Sequence, residues 1–305
     1  MTDQIKPDWI AVDWGTTNLR AFAMRKGAMI AEAVSDDGMG KLARDAFEPA
    51  LISLITPWLS STRQTPVIAC GMVGSRQGWF EAPYRTTPCT PLDPSALVAA
   101  PTTDPRIIVA IVPGLRQNKP ADVMRGEETQ IAGALALNPG FDGVFCLPGT
   151  HSKWVHVSAG EVISFQTFMT GELFALLSTQ SVLRHGMAGD GWDDAAFDQG
   201  LSDALSRPEK IGANLFSLRA EGLLAGLAAP AARARLSGLL IGVELAAAKP
   251  YWLGQPIAII GADALSATYA HALATQGNTP NIIPAADAVL AGLGLAHKTM
   301  MEVAR

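Results

Sequence analysis

The sequence predicts an α/β protein built from two domains, and three observations lead to that prediction. At 305 residues the chain is longer than a single compact core usually requires. Apolar residues make up 49% of the chain and charged residues 17%, which is enough apolar material to fill two cores. The order strand–turn–strand–turn–strand–helix is also predicted twice, from residue 9 and again from residue 143.

The first half begins with a strand that ends in a carboxylate and a small polar turn. Residues 9–12 form an apolar strand, Asp13 follows it, and a second strand begins at residue 19. The turn between them contains Gly15, Thr16, Thr17 and Asn18. Backbone N–H groups and threonine hydroxyls in such a turn can bind phosphate oxygens, and a carboxylate beside phosphates commonly holds Mg²⁺. An ordinary hairpin has similar turn residues, so this segment alone leaves both interpretations open.

A glycine-rich loop follows a buried strand at residues 66–70. A strand at residues 28–34 and a helix at residues 47–59 come before it. The loop contains Gly71, Met72, Gly74, Ser75, Arg76 and Trp79. Ligands of open α/β sheets bind at the carboxyl ends of strands, so Arg76 is a candidate partner for a carboxylate and Trp79 a candidate wall of the site. The alternative is a flexible loop whose Trp79 packs on the core.

Two adjacent glutamates begin a helix just before the predicted domain boundary. Residues 82–105 predict an irregular surface segment, and residues 106–114 a buried strand ending in a turn. The helix that follows Arg125 has Glu127 and Glu128 in its first turn, where acidic residues suit the helix dipole and need no other role. Asn138-Pro-Gly140 ends this helix and separates an N-terminal domain, residues 1–138, from a C-terminal domain, residues 139–305.

The second half repeats the pattern of strands and turns with different residues. A strand at residues 143–147 leads into a turn that contains Gly149, Thr150 and His151. Two further strands follow, and then a helix that begins at Gly171, directly after Thr170. Residues 193–250 are predicted to be helical.

A last strand–helix unit carries a candidate nucleotide segment. A buried strand at residues 256–261 meets a helix at residues 264–275 through Gly261, Ala262 and Asp263. A helix N-terminus behind a glycine turn suits a nucleotide. A short strand at residues 281–283 and a helix at residues 286–303 complete the prediction. Gly292 and Gly294 lie inside that helix and lack the spacing of a dinucleotide fingerprint, so they are interpreted as packing residues.

Composition and charge exclude several other classes of function. The net charge of -5 and the scattered basic residues argue against a nucleic-acid-binding surface. Cys70, Cys89 and Cys146 are far apart and favour buried thiols in a reducing compartment over disulfides or zinc. The longest apolar run, residues 236–248, is too short for a membrane span, and the N-terminal residues lack a signal-peptide pattern. We therefore expect a cytoplasmic protein without nucleic-acid or membrane partners; its oligomeric state stays open, a homo-oligomer included.

The order of these motifs resembles that of the actin, hexokinase and heat-shock-70 ATPase superfamily. Asp13-Trp-Gly-Thr-Thr-Asn18 resembles its first phosphate loop, Pro148-Gly-Thr-His151 its second, and Ile260-Gly-Ala-Asp-Ala264 its adenosine segment. Gly126-Glu-Glu-Thr-Gln130 stands where sugar kinases of this superfamily carry Gly-Asp-Gln with the catalytic carboxylate; glutamate replaces aspartate here, so Glu127 and Glu128 are both candidates. The resemblance implies two ribonuclease-H-like domains of the actin/hexokinase type, each a mixed five-stranded sheet with flanking helices, and a cleft between them.

A closer resemblance is to the 2-dehydro-3-deoxygalactonokinase family, and it extends from residue 13 to residue 244. The strings that carry it are Asp-Trp-Gly-Thr-Thr-Asn-Leu-Arg, Gly-Met-Val-Gly-Ser, Val-Met-Arg-Gly-Glu-Glu-Thr-Gln, Pro-Gly-Thr-His-Ser-Lys-Trp, Met-Thr-Gly-Glu-Leu and Leu-Ser-Gly-Leu-Leu-Ile-Gly-Val-Glu. This resemblance implies transfer of a phosphoryl group from Mg-ATP to the 6-hydroxyl of 2-dehydro-3-deoxy-D-galactonate, in galactonate catabolism. The alternatives are another sugar or sugar-acid kinase of the superfamily and a non-enzymatic nucleotide-sensing protein on this fold.

The resemblance also implies roles for the candidate residues. Asp13 would hold Mg²⁺, and Glu127 or Glu128 would accept the hydroxyl proton, with the match of Gly126-Glu127 to Gly-Asp favouring Glu127. Glu128 would then bond to backbone N–H groups or to a neighbouring arginine, and Glu128→Gln would chiefly reduce stability. The residues expected to bind ATP are Gly15, Thr16, Thr17, Asn18, Gly149, Thr150, His151, Gly261 and Ala262. Arg76 or Arg125 would bind the substrate carboxylate, and the other expected substrate contacts are Gly71, Met72, Gly74, Ser75, Trp79, Thr170 and Gly171.

Overall fold

The structure is a computed structural model that describes residues 5–303, and the chain forms two compact units. Unit 1 consists of the described residues up to Phe141, of Ser158–Ser164, and of the described residues from Ala285 onward. Unit 2 consists of Asp142–Val157 and Phe165–Pro284. The single boundary expected near residue 138 is therefore incomplete, because the last helix belongs to the first unit.

The elements follow the predicted order. The strands are β1 Trp9–Trp14, β2 Leu19–Arg25, β3 Ala28–Ser35, β4 Thr65–Gly71, β5 Arg85–Thr86, β6 Val98–Ala100, β7 Ile107–Ile111, β8 Leu115–Gln117, β9 Asp122–Met124, β10 Gly143–Leu147, β11 Ser152–Ser158, β12 Glu161–Phe168, β13 Ile257–Gly261 and β14 Asn281–Pro284. The helices are α1 Phe47–Ile55, α2 Glu127–Leu137, α3 Thr170–Thr179, α4 Asp194–Ser206, α5 Ile211–Leu224, α6 Ala229–Ala247, α7 Lys249–Trp252, α8 Asp263–Ala274 and α9 Ala285–Val303.

The two large sheets, one around β1 and one around β10, are mixed and share a topology. The order is β3-β2-β1-β4-β7-β6 in the first sheet and β12-β11-β10-β13-β14 in the second. In both, the central strand pairs antiparallel with the strand that follows it in sequence and parallel with a later strand. This is the ribonuclease-H-like arrangement that the resemblance implied, with a meander on one side of the central strand and a parallel pairing on the other.

The prediction of five strands in each sheet is correct for the second sheet and wrong for the first. The first sheet has a sixth strand, β6, which pairs antiparallel with β7, and β5, β8 and β9 form a separate three-stranded sheet. All four additional strands are two or three residues long. Strands this short show no hydrophobic periodicity. Residues 82–105, which contain β5 and β6, were therefore predicted to be irregular, and β8 and β9 were not predicted.

Helices cover both faces of the first sheet, so its central strand is apolar on both sides. Ile10, Val12 and Trp14 of β1 belong to the hydrophobic cluster that includes α1, whereas Trp9 and Ala11 belong to the cluster that includes α9. The alternation of β1 side chains between two buried faces explains why this strand reads as one continuous apolar run.

Close contact between α2 and α9 attaches the last helix to unit 1. A Cβ atom on Gly133 would lie 1.8 Å from the carbonyl oxygen of Ala288, and one on Gly292 would lie 2.0 Å from that of Thr129. Gly133 and Gly292 therefore let the two helix backbones touch. The prediction of a packing role is confirmed for Gly292 and wrong for Gly294, because a Cβ atom there would meet nothing within 4 Å. Among residues 5–303, we find no helix with the length and apolarity needed to cross a membrane.

Candidate active site

Asp13 lies near the end of β1 in unit 1 and pairs with a cation on the neighbouring strand. Arg20 stands opposite it in the β1–β2 register, and its Nη2 atom is 3.1 Å from Oδ2 of Asp13. Burial raises the pKa of Asp13, Arg20 lowers it, and the charge of Glu127 raises it further. Asp13 thus lies close enough to the start of α2 for the charge of Glu127 to affect its pKa. The sequence alone could not show this proximity.

The turn after Asp13 is fixed by a segment that sequence reasoning missed. The amide of Gly15 donates to the carbonyl of Asn18 at 2.9 Å, which closes the turn. The amides of Met39 and Gly40 donate to the carbonyls of Gly15 and Thr16 at 3.0 and 2.9 Å. These contacts use backbone groups of the turn, and the side chains of Thr16 and Thr17 are exposed.

Gly38 permits this contact between segments. A Cβ atom at Gly38 would lie 2.2 Å from the carbonyl carbon of Thr17, so only glycine fits without a shift of the backbone. The side chain of Asn18 also reaches this segment, donating from Nδ2 to Oδ1 of Asp36 at 3.2 Å. Asn18 therefore has a structural partner in addition to its expected phosphate role. The pair Gly38 and Gly40 was the sequence signal for this contact.

Two glycines bring the start of α2 to the end of the central strands. Gly71 pairs with Trp14 in the β1–β4 register and has a φ of +90°, and a Cβ atom there would lie 2.6 Å from the Trp14 carbonyl oxygen. Gly126 has a φ of +107°, and its Cβ would lie 3.3 Å from the Cα atom of Gly71. The α2 N-terminus thus lies against the carboxyl end of β4, where the fold is expected to place ligands.

Glu127 and Glu128 have different surroundings at this N-terminus. Glu128 is fully buried and accepts hydrogen bonds from the Gly126 amide at 2.7 Å and from Thr129 Oγ1 at 2.9 Å. Burial, with a contribution from Glu127, raises the pKa of Glu128 to about 7. Glu127 is half-buried and accepts from the Arg125 amide at 3.0 Å. The prediction that Glu128 bonds to a backbone N–H group is confirmed, and Glu127 is the more accessible carboxylate.

The two arginines expected at the substrate carboxylate occupy contrasting positions. Arg76 is exposed, and its carbonyl oxygen accepts from Nη2 of Arg44 at 2.5 Å. Arg125 is buried, with Nη2 donating to the Ala82 carbonyl at 2.8 Å and the guanidinium 4.3 Å from the centre of the Tyr84 ring. Its Nε and Nη1 atoms have no hydrogen-bond partner among the described residues.

The rest of the loop after β4 is mostly buried. Gly74 packs tightly, since a Cβ atom there would lie 2.8 Å from Nη1 of Arg125, and Ser75 is buried, whereas Met72 is partly exposed. Trp79 is 6% exposed, belongs to the core cluster, and contacts Trp14 edge-on at 6.3 Å between ring centres. Trp79 therefore packs on the core and does not form an open wall of a site, because its ring fills the space beside Trp14.

The second turn lies in unit 2 against the start of α3. The Glu172 amide donates to the Thr150 carbonyl at 2.9 Å, and a Cβ atom on Gly171 would lie 2.3 Å from the Gly149 carbonyl oxygen. His151 Nε2 is 2.6 Å from Oε2 of Glu172. The structure thus places Thr170 and Gly171, which were expected at the substrate, beside the second turn.

A cavity of about 650 Å³ opens next to this turn in unit 2. Gly149, Thr150, Thr170 and Gly171 line one side, and the other lining residues come from α3, α6, α8 and the loop before α4. Its apolar lining includes Phe174, Trp192, Leu240, Ile241 and Leu265. The volume and the mainly apolar lining suit a nucleoside. Sequence reasoning missed Phe174 and Trp192, because separate helices and loops bring them together.

The predicted adenosine segment lies at the β13–α8 junction. A Cβ atom on Gly261 would lie 2.6 Å from Oγ of Ser266, so the glycine makes room for the first turn of α8. Ala262 is exposed just before α8 begins. Within the described part of the chain, the α8 residues that line the cavity are Ala264, Leu265, Thr268 and Tyr269, and neither Gly261 nor Ala262 is among them.

Comparisons with known proteins identify the family. The family model of 2-keto-3-deoxy-galactonokinase matches residues 13–296. A Rhizobium meliloti (strain 1021) protein named as a probable 2-dehydro-3-deoxygalactonokinase, DgoK1, is 40% identical over 301 residues, 96% of this chain and 97% of the relative. The Escherichia coli (strain K12) protein named 2-dehydro-3-deoxygalactonokinase is 34% identical over 95% of this chain and 97% of the relative. A crystal structure of a Sinorhizobium meliloti protein described as a 2-dehydro-3-deoxygalactonokinase has a TM-score of 0.88 at 39% identity and covers 96% of this chain and 99% of that one. The chain therefore belongs to the 2-keto-3-deoxy-galactonokinase family.

Proposed function

We propose that the chain transfers the γ-phosphoryl group of ATP to the 6-hydroxyl of 2-dehydro-3-deoxy-D-galactonate. One observation carries this proposal: Asp13, Glu127 and the polar turn from Gly15 to Asn18 are brought together at the end of the central strand. Phosphoryl transfer needs little covalent chemistry from a protein, and positioning and charge stabilisation provide most of the catalysis. The names of the relatives support the choice of acceptor.

Glu127 is the residue we assign to the acceptor hydroxyl. It lies at the N-terminus of α2, is half-buried, and interacts electrostatically with Asp13. A carboxylate in this position can orient the hydroxyl and accept its proton. Glu128 is fully buried and uses both carboxylate oxygens in contacts with its own helix start, which supports a structural role.

Asp13 is the residue we assign to Mg²⁺, and its surroundings fit such an ion. Arg20 pairs with Asp13, and Glu127 adds a second negative charge that acts on Asp13, so a divalent cation would offset the remaining negative charge. Mg²⁺ in kinase sites is commonly held by one or two carboxylates, phosphate oxygens and water. The described residues contain no cluster of three or more metal-ligating His, Cys, Asp or Glu side chains, in keeping with an ion held largely by the nucleotide. When bound, Mg²⁺ would neutralise phosphate charge.

The nucleoside of ATP is assigned to the cavity of unit 2, and each turn is assigned, within its own unit, to phosphate oxygens. Thr16 and Thr17 expose side chains at the first turn, and Gly149 and Thr150 border the cavity at the second. Backbone N–H groups and hydroxyls in such turns bind phosphate oxygens, and the apolar cavity suits the base and ribose. The ATP requirement and the free thiols of Cys70, Cys89 and Cys146 support a cytoplasmic location.

Arg76 is the residue we assign to the carboxylate of the acid. Its side chain is exposed on the loop that leaves β4, whereas the Arg125 guanidinium is buried against Ala82 and Tyr84. We assign to Arg125 the support of the loop, because it fastens the segment around Ala82 to the start of α2. Arginine suits a carboxylate because its planar fork donates two parallel hydrogen bonds.

A coupled assay of ATP consumption with a panel of acceptors tests the proposal. The panel contains the 2-dehydro-3-deoxy forms of galactonate and gluconate, the parent aldonic acids, and neutral sugars. We expect the highest kcat/KM with 2-dehydro-3-deoxy-D-galactonate and phosphate on its 6-hydroxyl. ATP hydrolysis that is independent of any acceptor would contradict the proposal, and a neutral sugar as the best acceptor would contradict the role of Arg76.

A further inference from the structure

Glu244 is a buried carboxylate in unit 2 that the proposed reaction does not use. It lies on α6, is 1% exposed, and accepts hydrogen bonds from four side chains. The donors are Trp154 Nε1 at 2.8 Å, Ser152 Oγ at 2.6 Å, Tyr269 Oη at 2.8 Å, and Thr170 Oγ1. Burying a carboxylate costs free energy unless hydrogen bonds compensate for the lost water. The four donors provide that compensation, so the surrounding elements are arranged around Glu244.

The donors come from elements that border the cavity. Ser152 is the first residue of β11 and follows the turn of Gly149, Thr150 and His151 directly. Thr170 is the first residue of α3, Tyr269 lies on α8, and both line the cavity. Glu244 therefore connects α6 to the second turn and to two cavity walls at once.

One face of α6 serves both the cavity and this carboxylate. Arg233, Ser237 and Ile241 line the cavity at intervals of four residues, and Glu244 continues that face one turn further on. Gly238 and Gly242 press α6 against α4, since Cβ atoms on them would lie 2.1 Å from the Phe197 carbonyl oxygen and 2.7 Å from Ala204 Cβ. The last turns of α6 before Glu244 thus pack against α4 on one side and line the cavity on the other.

We propose that Glu244 is a positioning residue for the nucleotide: it holds the second turn, Thr170 and Tyr269 in the geometry that binds ATP. The inference rests on the proposed function in one respect, namely that ATP occupies this cavity. Glu244 does not line the cavity itself, so its effect must pass through the groups that it holds.

The division of donors between the two oxygens makes Glu244→Gln a sharp test. Trp154 alone donates to Oε1, and Ser152, Thr170 and Tyr269 all donate to Oε2. An indole N–H can only donate, so the glutamine carbonyl must face Trp154 and the amide NH₂ must face the three hydroxyls. These hydroxyls then lose their common acceptor, although the shape of the side chain is unchanged.

The experiment measures nucleotide binding separately from catalysis. For Glu244→Gln, we expect the Kd of a non-hydrolysable ATP analogue, determined by calorimetry without acceptor, to rise at least about 10-fold. KM for ATP should rise in parallel, and KM for the acid should stay unchanged. Trp252→Phe is the matched control: Trp252 is buried in the same unit, donates from Nε1 to the Leu245 carbonyl at 2.7 Å, and does not line the cavity. It should lower Tm without changing either ATP constant.

Ser152→Ala keeps the proposal falsifiable if Glu244→Gln does not fold. It removes one donor, leaves the carboxylate, and does not line the cavity, so we expect Kd for the analogue to rise by about 2- to 10-fold. A wild-type Kd in the glutamine variant overturns the proposal, as does a wild-type Kd in Ser152→Ala when the glutamine variant is unfolded, or an equal loss of affinity in Trp252→Phe. If the wild-type protein binds the analogue but phosphorylates no acid, the proposed function fails while the role of Glu244 is still decided. No binding of the analogue by the wild-type protein overturns both.

Discussion

Glu127 and Glu128 are neighbours in the chain and differ in accessibility. Glu127 is half-buried, whereas Glu128 is enclosed and bonded to Gly126 and Thr129. Successive helical residues point about 100° apart, so only one of them can face a substrate at the strand ends. The sequence left both glutamates as candidates for the catalytic base, and the difference in burial favours Glu127.

We expect Glu127→Gln to lower kcat by at least about 100-fold, because a positioned carboxylate base contributes on this scale. KM for ATP should change little. Glu128→Gln is the matched control and should keep most of the wild-type kcat. The measurement is kcat of both variants under the same conditions: a large loss in Glu128→Gln alone reverses the assignment, and small losses in both remove the carboxylate from the mechanism.

The buried position of Glu128 also predicts how stability depends on pH. Its pKa rises from 4.5 to about 7 on folding, so between these values the unfolded state ionises first and the folded state retains the proton. The free energy of unfolding should therefore fall as pH rises through this window, by up to about 3 kcal/mol from this group. Glutamine resembles the protonated acid and should abolish the fall.

Urea unfolding of wild type and Glu128→Gln on both sides of that window tests this expectation. At acidic pH the two proteins should be similar, and above neutral pH the variant should be the more stable. From sequence alone, the same substitution was expected to reduce stability; complete burial of the carboxylate reverses the expected sign. Parallel pH profiles for the two proteins would show that Glu128 does not titrate in this range.

Arg76 and Arg125 are separated by a second pair of substitutions. We expect Arg76→Lys to raise KM for the acid about 10-fold or more while KM for ATP stays unchanged, because lysine cannot reproduce a two-pronged contact. Arg125→Lys should mainly lower Tm, since its guanidinium contacts Ala82 and Tyr84. Steady-state kinetics with each substrate varied in turn provides the comparison. An effect on KM for the acid from Arg125→Lys alone would transfer the role to Arg125.

At the scale of elements, the close contact between α2 and α9 requires glycine at one position of α9, and a second glycine of α9 serves as a control. A Cβ atom at Gly292 would lie 2.0 Å from the Thr129 carbonyl, whereas one at Gly294 would meet nothing within 4 Å. We expect Gly292→Ala to destabilise the protein by about 1–3 kcal/mol through overpacking. Gly294→Ala should instead stabilise it by up to about 1 kcal/mol through helix propensity. Equal free energies of unfolding for the two variants would contradict the close contact.

Elements with a full hydrophobic period were predictable, and short or long-range features were not. The helix predicted at residues 264–275 matches α8 within a residue, and the second strand begins at residue 19 as predicted, because turn residues bound these patterns. Strands β5, β6, β8 and β9 have too few residues to show a pattern. Trp79 and Thr170 were predicted in the substrate site because they are close in sequence to other candidate residues. Tertiary packing instead puts Trp79 in the core and Thr170 in the lining of the unit 2 cavity.

At the scale of the molecule, two sheets of one topology carry different chemistry. Unit 1 presents Asp13, Glu127 and the first turn, and unit 2 presents the second turn and the cavity. The order of the motifs predicted that each unit has its own phosphate-binding turn, because each repeat contains one such turn. The connection of α9 to unit 1 was not predictable, since no local pattern specifies which apolar surface a C-terminal helix covers.

The late position of α9 in the chain has a consequence for biosynthesis. Val289 and Leu293 of α9 pack against one face of the first sheet with Trp9 and Phe22. The ribosome makes α9 only after all of unit 2, so this face of the first sheet stays uncovered while unit 2 emerges. Domains usually complete in order from the N-terminus, and here that order is reversed. A nascent chain that stops before residue 285 would leave this surface open to chaperones and proteases.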